Sequence, residues 1–182
     1  MLFSQRSLVC LLLFLLTGCA TLDAGRGKSV ELDAPIDAKM GMIVGRVDDS
    51  KSGNKITYVT IWEQKTKMRA GYKGIPVRMF DDGTFVAVNV PPGSYYIPML
   101  VSDGNVASIM DMAILQPFEV KPGKVTYWGS YKVVFKKGSV TFGLPSFVNL
   151  TKSGDTDRKM AFTQVLQAAK GTRWEKIVSA GM

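Results

Sequence analysis

The sequence predicts a mainly β, antiparallel domain that ends in one helix, and three observations carry that expectation. Between Met40 and Phe142, short runs rich in Val, Ile, Tyr, Phe and Trp alternate with clusters of Gly, Pro, Asn and Asp, the spacing of a many-stranded sheet protein. Glycine-bearing turns separate several of these runs: Asp81-Asp82-Gly83, Pro92-Gly93 and Pro122-Gly123. Beyond Asp155 the apolar period lengthens from two to that of a helix, with Phe162, Val165, Leu166 and Ala169 on one face.

The elements follow in order from the N-terminus. Arg6 is a positive start, Leu8 to Leu16 an almost unbroken apolar stretch, and the small residues Thr17 and Gly18 precede Cys19. Nine residues are too few to cross a bilayer core of about 30 Å as a helix. Leu16-Thr17-Gly18-Cys19 resembles the lipobox of a bacterial lipoprotein signal. That likeness implies cleavage after Gly18, diacylglycerol on the Cys19 sulfur and a third acyl chain on the new amine, and two or more chains anchor stably where one is marginal. Ala20, where an aspartate is absent, is similar to lipoproteins sorted to the outer membrane of diderm bacteria. The implied address is the cell outer membrane, lipid-anchored and facing the periplasm.

Residues 1–18 therefore read as a signal peptide and residues 19–39 as a lipidated, flexible tether, since Gly25, Gly27, Pro35 and scattered charges show no apolar period. Residues 40–182 read as the folded domain. The 164 residues left after cleavage suffice for one domain with a hydrophobic core. Cys10 leaves with the signal and Cys19 carries lipid, so no disulfide is expected and stability must come from packing and sheet hydrogen bonds. With no histidine and no free thiol, Ser-His-Asp catalysis, cysteine nucleophiles, dithiol redox and His- or Cys-based metal sites are excluded. No cofactor or metal is expected. Loss of Arg6 takes the formal charge from +8 to +7, 22 cations against 15 acids. Such a balance suits anionic headgroups or acidic glycans, and an envelope address makes nucleic acid the least suitable partner.

Strands are predicted over Met42–Val47, Thr57–Glu63, Val77–Phe80, Thr84–Val88, Ser94–Val101, Ala107–Leu115, Phe118–Val120, Thr126–Lys136 and Ser139–Phe142. Gly83 closes a tight hairpin by accepting positive φ. Pro92-Gly93 and Pro122-Gly123 each fit a type II turn, with proline fixing φ and glycine left-handed. Tyr95, Ile97 and Met99 share one face of their strand, and Pro98 marks an edge or a bulge. Asp155 or Thr156 caps the helix, Asp157 complements its dipole and Gly171 ends it. Trp174, Ile177 and Val178 form a last anchoring cluster.

The stretch Asp82-Gly-Thr-Phe-Val-Ala-Val-Asn-Val-Pro-Pro-Gly-Ser-Tyr-Tyr-Ile97 resembles the carboxypeptidase regulatory-like, or transthyretin-like, β-sandwich family, with its D-G-x-F…L-P-P-G-x-Y pattern. Val90 stands where leucine is usual. Phe118 to Gly129 looks like a companion strand-turn-strand of small envelope lipoproteins. The likeness implies an immunoglobulin-like (transthyretin-like) antiparallel β-sandwich with a C-terminal α-helix, no catalytic residues, and an accessory or adhesive role. Fold likeness transfers no site.

Five features invite a chemical reading. Cys19 is the lipidation site. Lys65, Lys67, Arg69 and Lys73 form a basic stretch able to touch phosphates or acidic glycan, or to guard an edge strand. Tyr58, Trp62, Tyr95, Tyr96, Tyr127, Trp128 and Tyr131 could supply a sugar-stacking platform, although core packing of a β-sandwich is the cheaper account of them. Asp48 to Asn54 begins like a calcium loop, but its twelfth position is Val59, so an ordinary polar hairpin loop is expected. The pairs Asp81/Asp82 and Asp155/Asp157 have turn and helix-start roles that compete with catalysis. The expected protein is a non-catalytic envelope lipoprotein whose partners are the bilayer, through acylated Cys19, and an envelope protein. The alternative is a glycan- or anionic-surface-binding module.

Overall fold

A computed structural model describes residues 31–52, 55–65, 74–102, 105–109, 111–135 and 146–182. Among these the protein is mainly β, a nine-strand mixed sheet nearly closed into a barrel and followed by two helices. The strands are β1 (Gly41–Asp48), β2 (Ile56–Glu63), β3 (Arg78–Met79), β4 (Thr84–Val90), β5 (Gly93–Ser102), β6 (Asn105–Ile109), β7 (Phe118–Val120), β8 (Val125–Phe135) and β9 (Ser146–Lys152), then α1 (Asp155–Ala169) and α2 (Trp174–Gly181). The sheet runs β2-β5-β6-β9-β8-β1-β4-β3, with β7 also on β5. A bridge between Ile61 and Ile75 brings its two ends together. No helix among the described residues is long and apolar enough to cross a membrane.

Closure creates two apolar regions. Ile43, Val47, Val59, Ile61, Phe85, Ile97, Leu100 and Val133 fill the interior. The outer face of β1, β4 and β8 carries Met42, Val44 and Val86 against Phe162, Val165, Ala169, Trp174 and Val178 of the helices. β1 is consequently buried on both faces, which explains its near-continuous apolar run. Gly45 makes this possible: a Cβ there would lie 2.4 Å from Phe85 Cζ and 3.1 Å from Trp128 Cε3.

The expectation of a wholly antiparallel sheet is corrected at two pairings. β1 runs parallel to β8, and β6 parallel to β9. β8 returns to β1 only after the chain has visited the other half of the sheet through β5, β6 and β7, and long crossovers of that kind permit parallel neighbours. Where one helix was expected there are two, because Trp174, Ile177 and Val178 are spaced to give α2 its own buried stripe. β9 had no counterpart in the prediction, and the expected strand Ser139–Phe142 lies outside the described residues. The expected strand Ala107–Leu115 ends at Ile109, since Asp111 turns the chain by accepting from Ala113 N, while Ile114 N donates to Asp111 O.

Two of the three glycine turns hold. At the β3–β4 hairpin Gly83 has φ +80 and donates to Phe80 O at 3.0 Å. Gly123 has φ +63 behind Pro122, and Lys124 N donates to Lys121 O. Gly93 differs. It is the first residue of β5, pairs with Val120 and is not among the left-handed glycines. Pro91-Pro92 forms a corner at which the chain crosses from β4 to β5, strands that do not pair with each other. Tyr95 Oη donates back to Pro91 O at 2.9 Å across that corner.

Pro98 falls at a bulge, where Thr60 faces Met99 but Trp62 faces Tyr96. The extra residue shifts the side-chain phase, so Leu100 and Ser102 are buried while Met99 is only half-buried. At the entrance, packing begins before the predicted Met40. Leu32 is 3% exposed in the helix-side core, Ala34 O accepts from Trp174 Nε1 at 3.3 Å, and Asn89 binds Pro35 O and Asp37 N. Asn89 is left-handed, φ 52, at a β4 bulge, a conformation asparagine tolerates. Residues 32–37 thus pack against the domain.

Candidate functional site

Among the described residues four polar or charged side chains are buried, Arg46, Thr84, Ser102 and Ser130, and two of them, Arg46 and Ser130, lie on the paired strands β1 and β8. On β1, Met42 and Val44 face the helices, and alternation brings Arg46 to the same side at the strand's end. Arg46 is buried. Its Nη1 donates to Asp157 Oδ1 at 2.7 Å, and its Nε lies 4.0 Å from Asp82 Oδ2. Asp82 also accepts from the Thr84 amide and hydroxyl at 3.0 and 2.9 Å. The guanidinium thus ties a strand to a hairpin and to the first turn of a helix.

A bulge in β8 shapes the neighbouring wall. Val44 pairs with Tyr127 but Gly45 with Gly129, leaving Trp128 as the extra residue. Gly129, at φ +136, has no room for a side chain: a Cβ would stand 2.6 Å from the Tyr131 ring. Trp128 turns inward, with ring centroids 5.7 Å from Phe85 and 4.5 Å from Tyr131. Tyr127 turns outward onto Phe162 at 5.7 Å. Its hydroxyl and Ser130 Oγ share a hydrogen bond of 2.5 Å. The Arg158 guanidinium lies 5.4 Å from the Tyr127 ring centroid and 5.5 Å from that of Phe162, and also donates to Gly181 O.

Between this wall and the β9–α1 junction is a cleft of about 220 Å³, lined by Tyr127, Ser130, Lys152, Ser153, Gly154 and Arg158, with Asp155 at its rim. Gly154 is the N-cap residue and supplies no side-chain cap; its carbonyl accepts from Asp157 N at 3.1 Å, which leaves the first two amides of α1 without a side-chain cap. Ser153 N donates to Ser130 O, while Ser153 Oγ is buried without a partner. Two lining cations, Lys152 and Arg158, stand against one lining carboxylate, Asp155, while the nearby Asp157 carboxylate is engaged by Arg46.

Burial pushes the Tyr127 hydroxyl above its ordinary pKa, against the opposing influence of Ser130 and Arg158. Burial does the same to Tyr58 and Tyr131. A phenol whose folded pKa is raised adds stability that is complete below the unfolded value, near 10, and is lost as pH climbs through that value toward the folded one. Tyrosinate absorbance should accordingly rise in two phases, the late phase coinciding with loss of near-ultraviolet ellipticity. A single phase matching free tyrosine would contradict this.

Several sequence-predicted sites lie elsewhere. Cys19, Lys67, Arg69, Tyr72 and Lys73 are outside the described residues, and Lys65 is exposed just beyond β2. The aromatic set is divided. Tyr95, Trp128 and Tyr131 belong to the interior, Tyr58 Oη donates to Ile75 O, and half-buried Trp62 and Tyr96 form an edge-on pair at 6.1 Å. The Asp48 segment is a crossover and not the expected hairpin loop, since β1 and β2 do not pair. Asp49 there accepts from Ile56 N at 2.6 Å, and hydrogen bonds from Ser50 hold the Asp48 carboxyl below the usual range. Asp81 meets Lys55 at 3.1 Å. Among the described residues no cluster of three metal-binding side chains occurs.

The cleft itself was missed by sequence reasoning. Arg46 carried one signal, a charge inside the apolar run Met42–Val47. Tyr127, Ser130, Lys152 and Arg158 converge only through the parallel β1–β8 pairing and the unpredicted β9.

No protein-family model matches the chain, and no curated protein matches it. Among solved structures it is distantly similar to the crystal structure of a DUF3823 family protein from Bacteroides uniformis, at 16% identity over 69% of this chain and with a TM-score of 0.26. The chain spans 59% of that protein's length.

Proposed function

We propose that this is a non-catalytic, lipid-anchored lipoprotein of the bacterial outer membrane whose domain faces the periplasm and serves as a binding or structural module. The observation that carries the reading is the leader, Arg6, Leu8–Leu16 and Leu16-Thr17-Gly18-Cys19, followed by a body whose first buried residue among those described is Leu32. Twelve residues separate Cys19 from Leu32, a contour of at most about 47 Å, which keeps the domain close to its bilayer. A transthyretin-like module is supported by the Asp82–Ile97 resemblance and by the Tyr95 hydroxyl bound to Pro91 O. Immunoglobulin-type sandwiches use the same device, a tyrosine bonded to backbone a few residues upstream.

Metabolic labelling with a fatty acid tests the anchor. Wild type should be labelled and Cys19→Ala should not, with the variant accumulating as an unmodified precursor. Labelling that persists in Cys19→Ala would overturn the assignment.

A further inference from the structure

We propose that the cleft between β8 and the start of α1 binds a phosphate group, carried either by a small soluble phosphate ester or by a phospholipid headgroup. Its lining offers charge and hydrogen-bond donors from several sides. Lys152 and Arg158 are exposed cations on the consecutive elements β9 and α1. The Tyr127 and Ser130 hydroxyls satisfy each other with one proton, which leaves the second free to donate. The first two amides of α1, without a side-chain cap because residue 154 is glycine, add the positive end of the helix dipole.

Ser153, whose Oγ has no hydrogen-bond partner, is a further lining residue of the cleft. Donors arriving from a strand, a helix start and two long cations suit a tetrahedral oxyanion better than a planar carboxylate. A cleft of about 220 Å³ holds one such group and little more. Asp157 does not oppose it, being paired with Arg46. Asp155 at the rim is the one lining carboxylate, and it favours ligands with a single phosphate over polyanions.

Gly154 provides a test that separates binding from folding. Its φ of −79 suits any residue, and a Cβ there would meet nothing within 4 Å. Gly154→Asp places a carboxylate over the first-turn amides, where aspartate is a favoured cap, and should keep or raise the thermal midpoint while weakening phosphate binding about tenfold or more, the size of one charge-assisted hydrogen bond. Lys152→Gln should weaken binding similarly. Calorimetry on the full-length protein would compare inorganic phosphate, glycerol 3-phosphate and a short-chain phosphatidylglycerol below its micelle concentration. Saturable binding of the first two assigns a soluble ligand, and binding of the phospholipid alone assigns a headgroup. If none saturates at millimolar concentration, or if Gly154→Asp binds as wild type does, the proposal fails. Neither result bears on lipid attachment at Cys19, which labelling reads separately.

Discussion

Gly83→Ala is expected to lower stability by about 3 kcal/mol or more, through left-handed strain and a backbone collision. Gly83 has φ +80, and a Cβ on it would stand 2.0 Å from Val47 O. That carbonyl cannot move aside cheaply, because Val47 N donates to Gly83 O at 2.9 Å and β1 is packed on both faces. Gly171 isolates the conformational part, since its φ is +77 but nothing lies within 4 Å of its Cβ. Urea unfolding of Gly171→Ala should show a loss of only about 1–2 kcal/mol. Equal losses in the two variants would mean that the collision near Val47 is relieved by relaxation. Gly93→Val, by contrast, carries no left-handed penalty.

Trp174→Ala should cost about 3–5 kcal/mol, the usual range for a large aromatic removed from a core. Trp174 is 1% exposed and opens α2. Its ring joins a cluster with Leu32, Phe162 and Val178, and its indole N–H holds Ala34 O. The variant should therefore also expose the entering chain, with proteolysis accelerated near Leu32 under conditions where the barrel stays folded. Trp174→Phe keeps most of the ring volume but not the donor, and should fall between the two. A Trp174→Ala protein with an unchanged urea midpoint would refute the packing described for the helix layer.

Local chemistry made most of the elements legible. Eight predicted strands correspond to β1 through β8, because their apolar runs and turn residues are set within a few positions of chain. α1 was visible from Phe162, Val165 and Ala169, which are all buried. What escaped depends on contacts distant in sequence. Nothing near Gly45 announces that Phe85 and Trp128 occupy its side-chain space. Gly93 has the same proline before it as Gly123, yet Gly93 enters a strand while Gly123 turns, its amide bound to Met40 O. The cleft shows the same limit: Ser130 pairs with Arg46 across a parallel register that only the finished sheet defines.

The way the chain enters the domain sets how it answers a pull. Tension arriving through Glu31 first meets buried Leu32, the Ala34 carbonyl on Trp174 and the two bonds to Asn89. Residues 32–40 belong to no strand, so these contacts load one after another and yield by peeling. β1 lies directly behind them, hydrogen-bonded along its length to β4 on one side and to β8 on the other, and it must be sheared out with both ladders strained together. A pull applied at Glu31 is therefore expected to peel residues 32–40 away at lower force than is needed to shear β1 from the sheet.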